Sequence, residues 1–221
     1  MLKVRYYAVR IECQGGGMSH VHQMARQLSD PRLILISMGK SDVVVSYQAI
    51  RYVRTVSLAE DGTEATTEHP TVDRYRIRIF EGSERRLFLS VIDPPRSGRV
   101  IASALSLLIP GVRVLFEAVV FGGELIRRHT ERFEAAKLVS AKIKNFHIYD
   151  NAVGRLEVTS RAGLQNGIAP FVEGKFFEMD SMTYEIVSEL KKGLVCYSSS
   201  GTVRVSEPIV ELAFPLLEAL L

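Results

Sequence analysis

The sequence predicts an α+β protein, with a mostly antiparallel sheet and several packed helices. Three observations predict it. Apolar and polar residues alternate in Met1–Cys13, Tyr75–Phe80 and Leu87–Ile92, the period of a half-buried strand. Val21, Met24, Ala25 and Leu28 recur at helical spacing between Ser19 and Ser29. The elements run strand, helix, strands, helices, strands, helix, without the regular alternation of a parallel sheet.

Taken in order, Met1–Cys13 is a strand that Gly15-Gly16-Gly17 ends, and Ser19 caps the helix that Asp30-Pro31 closes. Leu33–Ser37 reads as a short buried strand, with further strands at Val43–Tyr47 and Tyr52–Leu58. Ala59–Val72 is acidic and threonine-rich with almost nothing to bury, the composition of an exposed loop. Tyr75–Phe80 and Leu87–Ile92 form a hairpin that Asp93-Pro94-Pro95 ends. Ser97 caps a helix to about Ile109.

Val112–Phe121 is too continuously apolar to assign by period. Glu124–Leu138 reads as a helix. Strands follow at Val139–Tyr149, Arg155–Ser160, Lys175–Met179, Leu194–Ser198 and Thr202–Ser206, and Pro208 opens a last helix over Ile209–Leu221. The 221 residues suit a single domain over 1–221, with a possible internal boundary near Pro94–Ser97 or Gly122-Gly123.

Composition narrows the class. The chain is 47% hydrophobic and 24% charged, which argues against wholesale disorder. Two distant cysteines, Cys13 and Cys196, make no disulfide framework and no zinc set. They read as small buried side chains in a reducing, cytoplasmic setting. Val100–Val112, the uncharged run of the most apolar stretch, is too short to span a bilayer, so no membrane is expected. Net charge is +3, with 22 Lys/Arg against 16 Asp/Glu in residues 1–150 and 6 against 9 after them. A basic front suggests a polyanion-facing side.

The hairpin is the leading candidate site. With Gly82-Ser83-Glu84 as its loop, Ile79 faces Leu87 and Ile77 faces Leu89, so one face is apolar. The other face then holds Arg74, Arg76, Arg78, Phe80, Arg86 and Phe88. Arginines every second residue stand about 7 Å apart, near the spacing of successive phosphates, and phenylalanines offer stacking surfaces to unpaired bases. The plainer reading of the same alternation is an ordinary strand with one solvated face. A second basic group, Arg127, Arg128, Arg132, Lys137, Lys142 and Lys144, is interleaved with Glu124, Glu131 and Glu134, as on a solvated surface.

Catalytic patterns are sparse. Gly39-Lys40-Ser41 ends like a P-loop, but Ile34 stands where its first glycine is required. His20 and His22 lie on opposite sides of a helix and cannot share a metal. There is no His-Glu-x-x-His, no Cys-x-x-Cys and no Gly-x-Ser-x-Gly, and Ser198-Ser199-Ser200-Gly201 reads as a hairpin turn. His147 lies near Asp150, a pair that by itself names no reaction. Asp150, Glu173 and Lys175 resemble the PD-(D/E)xK nuclease pattern, in which two carboxylates hold Mg²⁺ beside a lysine. Tyr149 replaces the usual proline, and Glu189-Leu190-Lys191 fits Glu-x-Lys equally well.

The segment Val139–Leu164, with lysines on one strand, a turn at Asp150–Gly154 and then Arg155–Arg161, resembles prokaryotic DNA-binding phage-exclusion and recombination-associated proteins. That resemblance implies a setting in antiviral defence or mobile elements, and it carries no site residue with it.

The expectation is therefore a non-catalytic nucleic-acid-binding protein with no cofactor and no metal. The alternatives are an interaction subunit or homo-oligomer, and a Mg²⁺-dependent nuclease. The interaction reading draws on the apolar Ile209–Leu221, which must be buried in its own core or against a protein partner or second copy.

Overall fold

The computed structural model describes residues 1–13, 17–58, 62–149, 152–164 and 168–221. It corrects the fold class. Among the described residues the protein is mostly an antiparallel sheet of 11 strands, 51% strand and 22% helix, with few and short helices. It is more nearly all-β than α+β with several packed helices. Two segments account for much of the difference. The expected loop Ala59–Val72 is strand from Glu64 on, and the expected helix Glu124–Leu138 stops at Thr130 and is strand again from Ala135. Asp61 and the rest of residues 59–61, Gly15 and Gly16, and Asp150 lie outside the described residues.

The chain divides into two compact units. The first comprises Met1–Arg10, Glu81–Pro94 and Leu115–Leu221, and the second Ile11–Phe80 and Pro95–Val114. One crossing between them falls at Pro94–Pro95.

In the second unit, β2 (Leu33–Met38), β3 (Asp42–Leu58) and β4 (Glu64–Glu81) run side by side. Val43, Val45 and Tyr47 face Ile79, Ile77 and Tyr75 across the ladder, so one face of its base is apolar. Against β2 and β3 pack α1 (Met18–Arg26) and α2 (Gly98–Leu108). The buried side chains of α2 are Ile101, Ala104, Leu105 and Leu108, one helical stripe. Its start is set by Ser97, whose hydroxyl accepts from the Arg99 N–H at 3.2 Å. Ser97→Ala is expected to cost about 1 kcal/mol of stability, read by chemical denaturation. The strand β2 is not buried as expected: only Leu33 is, while Ile34 to Met38 are exposed.

In the first unit the order is β5 (Leu87–Ile92), β1 (Leu2–Ile11), β11 (Thr202–Val205), β10 (Lys191–Ser198), β9 (Glu178–Ser188), β7 (Ala135–Tyr149) and β8 (Ala152–Thr159). A further strand, β6 (Val114–Ala118), pairs with β1. Its helices are α3 (Gly123–Thr130), α4 (Ala169–Val172) and α5 (Val210–Glu218). The residues 135–138 are good helix formers, yet they pair with β9 from Ala135 against Val187 onward, a long-range ladder that overrides local propensity.

The apolar C-terminal segment is covered by its own unit. Ile209, Ala213, Leu217, Leu220 and Leu221 are all buried. Gly193 passes so close to Ile209 that a Cβ there would meet its side chain at 2.7 Å.

Candidate functional site

The hairpin residues are placed differently from the expectation. The Gly82 N–H donates to the Arg86 carbonyl at 2.8 Å, so the turn is Ser83-Glu84-Arg85 and the closing pair sits one residue later than Gly82-Ser83-Glu84 implied. Glu84 and Arg85 take the left-handed backbone that this turn needs (φ 55° and 58°). Leu87 through Val91 are buried on both faces of β5, Phe88 included. Gly82 lies between the Phe88 ring and Leu221, since a Cβ there would meet them at 2.7 and 2.8 Å. The C-terminal segment thus helps to close the face on which Phe88 was expected to be free.

Phe80 is buried as well, with the Arg78 guanidinium 5.2 Å from its ring centre. Neither phenylalanine offers an open stacking surface. Arg78 is paired with Asp42 at 2.8 Å, and Arg86 with Glu84 at 2.8 Å. Arg74 and Arg76 are exposed, and neither has an ion pair among the described residues.

Four members of the second basic group are paired, while Arg128 and Arg132 are exposed without an ion pair among the described residues. Arg127 contacts Glu124 at 2.8 Å and Glu131 at 2.6 Å, which hold its pKa above the ordinary arginine value. Lys137 pairs with Glu185, Lys142 with Glu157 and Lys144 with Glu178. Exposed pairs of this kind contribute little, so Arg127→Ala is expected to leave the denaturation midpoint unchanged. Divided by unit, the charge is 11 Lys/Arg against 8 Asp/Glu in the second and 17 against 17 in the first. The basic front of the sequence therefore concentrates into +3 on the smaller unit.

Of the nuclease trio, Asp150 lies outside the described residues. Glu173 and Lys175 are exposed on either side of Gly174, and the Lys175 ammonium lies 5.3 Å from the Phe146 ring centre. Among the described residues no three His, Cys, Asp or Glu side chains come together to hold a metal. His147 is exposed and edge-on to Phe176. Cys13 and Cys196 are half-buried free thiols rather than buried ones. No helix among the described residues is long and apolar enough to cross a membrane.

Three features escaped the sequence. The first is an arm. From Ala49 to Leu58, β3 pairs only with β4, residue by residue, from Ala49 opposite Asp73 to Leu58 opposite Glu64; β2 reaches only Tyr47. Nearly every side chain of this two-stranded ribbon is exposed. Strand alternation puts Ile50, Tyr52, Arg54, Val56 and Leu58 on one face with Val72, Pro70, Glu68, Thr66 and Glu64. That face is apolar but for Thr66, Glu64 at its far end and the cross-strand Arg54–Glu68 pair. The opposite face carries Arg51, Thr55, Ser57, Thr67, His69 and Thr71, with Arg51 paired to Asp73. Glutamates and threonines made 64–72 look like a loop, whereas β-branched threonines and compensated charges suit a solvated strand.

The second feature is a like-charge pair. Lys3 and Arg204 stand directly opposite each other on β1 and β11, and neither has an ion pair among the described residues. Beside Arg204 lies a basin of about 400 Å³, lined among others by Lys142, Asp180, Ser181, Thr183, Leu194 and Ser198. Residues 3, 142 and 204 are too far apart in sequence for any local pattern to announce them.

The third is His129, fully buried on α3. Its Nε2 lies 2.9 Å from the Ala213 carbonyl, and its Nδ1 hydrogen-bonds the Tyr197 hydroxyl. A carbonyl only accepts, so Nε2 carries the proton and Nδ1 accepts from Tyr197. Burial lowers the His129 pKa to about 4, and burial likewise pushes the Tyr197 phenol well up. The ring is a neutral structural group inside the first unit.

No protein-family model matches this chain, and no curated protein matches its sequence. The functional reading rests on the geometry above.

Proposed function

We propose that the protein is a non-catalytic interaction subunit that engages a partner through the β3–β4 arm. One observation carries this: a ribbon with five large apolar side chains exposed on a single face. Ile50, Tyr52, Val56, Leu58 and Val72 are each 53–72% exposed. A two-stranded ribbon is marginal by itself in water, and exposed apolar surface of this extent characterises binding sites rather than idle surface. The buried C-terminal segment, which first suggested a partner, is accounted for by the unit's own core.

A photo-crosslinking residue in place of Tyr52, with Ser57 on the opposite face as control, tests the reading in the organism that makes the protein. A discrete adduct from position 52 and none from 57 is the expected result. Equal labelling at both positions, or none at either, would remove the arm as a binding surface.

A second reading, nucleic-acid binding, is favoured by the Lys3–Arg204 pair. Directly opposed like charges destabilise a sheet, and a phosphate backbone would relieve them. Titration against labelled single-stranded and duplex DNA and RNA is then expected to show binding that weakens as salt rises, and that falls at least tenfold in K3E/R204E. Absence of binding at low salt would eliminate this reading.

A further inference from the structure

We infer that the arm's partner is a second copy of this chain, with two arms laid face to face and antiparallel. The inference deepens the interaction reading above and depends on it.

The first argument is area. The exposures of Ile50, Tyr52, Val56, Leu58 and Val72 amount to about 600 Å² per arm, the upper end of what a monomer leaves open. Two such faces in contact would bury about 1,200 Å², the lower bound of a specific interface. The arm is thus of the size that self-association needs.

The second argument is charge order along the same face. Arg74 and Arg76 stand at the base of the arm, exposed and without an ion pair among the described residues, and Glu64 stands at its far end. Ten strand residues separate Arg74 from Glu64, about 34 Å. The apolar side chains lie between them. An antiparallel pair of arms therefore places each Glu64 end toward the arginine base of the other, with apolar surface against apolar surface in the middle. A parallel pair would set arginine against arginine and glutamate against glutamate. The antiparallel arrangement is self-complementary, as a two-fold interface has to be. Arg54 and Glu68, already paired across the ladder within one arm, add no net charge to the seam.

A nucleic-acid partner fits this face poorly. The far end of the arm carries Glu64, a carboxylate that phosphates would repel.

The experiment is sedimentation equilibrium of the full chain over a wide concentration range, for four proteins and one mixture. Wild type is expected to dimerise. Y52E/V56E, whose side chains are solvent-exposed, is expected to keep the wild-type circular dichroism and to dissociate at least 100-fold more readily. R74E/R76E and E64R are each expected to dissociate several-fold more readily, because each now opposes like charges. Mixed in equal amounts they should recover, since glutamate bases meet an arginine end and arginine bases meet a glutamate end.

A wild-type monomer at about 100 µM, with position 52 still crosslinking to a different protein or to nucleic acid, would overturn the second copy and leave the arm as a binding surface. A dimer indifferent to Y52E/V56E would move the seam elsewhere. Variants that weaken singly but fail to recover together would overturn the antiparallel arrangement.

Discussion

Replacing His129 with alanine is expected to destabilise the protein by about 4 kcal/mol, measured by urea denaturation at pH 7.5. Two costs combine. The ring is fully buried, edge-on to Phe133 at 5.2 Å and to Tyr197 at 5.8 Å, so its removal leaves a cavity. It also strands the Tyr197 hydroxyl and the Ala213 carbonyl in an apolar setting, and each unsatisfied group costs about 1–3 kcal/mol. Tyr197→Phe, which removes one hydroxyl and keeps the ring, should cost less.

The same histidine gives wild type a pH dependence. Its folded-state pKa is about 4, against 6.5 for an unperturbed histidine. The unfolded chain therefore takes up a proton that the native state refuses. The stability contributed by the neutral ring is complete above pH 6.5 and is lost as pH falls toward 4, by about 3 kcal/mol in all. His129→Ala should lack that slope. If wild type and variant lose stability in parallel between pH 6.5 and 4, the ring is not the group responsible.

The second large effect is expected at Gly201. Gly201→Val should destabilise by about 3–4 kcal/mol, whereas Gly62→Ala should cost only about 1 kcal/mol. Both glycines have left-handed backbone, φ 76° and 82°, so each substitution carries conformational strain. They differ in their surroundings. A Cβ on Gly201 would meet the Tyr6 carbonyl at 2.9 Å and the Val119 carbonyl at 3.0 Å, while one on Gly62 would meet nothing within 4 Å. The Tyr6 N–H donates to the Gly201 carbonyl at 2.8 Å and the Val119 N–H to the Tyr6 carbonyl at 3.0 Å. The clashing carbonyls therefore belong to β1 and to the residue that follows β6, both tied in place by these backbone bonds, and neither can move cheaply. Equal midpoints for the two variants would contradict that account.

Ser198–Gly201 was legible in the sequence as a turn, because glycine and serine between two alternating runs have a local mechanism. That Gly201 is also the point where β1, β6 and β11 approach closely was not. The hairpin illustrates the same division. Alternation in Tyr75–Phe80 and Leu87–Ile92 correctly separated two faces, and the observed turn, closing on Gly82 and Arg86, preserves which side chains share a face. Alternation cannot say whether the second face meets water. Phe80 and Phe88 are buried, so the stacking role assigned to them has no surface on which to act. Charges behave likewise: Arg78 and Arg86 counted as free cations until Asp42 and Glu84 stood beside them.

The sequence by itself determined the local elements: the first strand, the helix that Ser97 caps, the Ser198–Gly201 turn and the absence of a P-loop; the first helix also forms, but it begins at Met18 with Gly17 as its N-cap and no side-chain cap from Ser19. Each rests on propensity, period or spacing within a few residues. Only the tertiary structure decided the balance of the fold and its exposed surface. Residues 64–73 became half of an arm because Ala49–Leu58 pairs with them. Residues 135–138 became strand because β9, some fifty residues later, supplies a ladder. Ladder partners, burial and neutralising charges are long-range quantities, and a window of sequence does not contain the groups that set them.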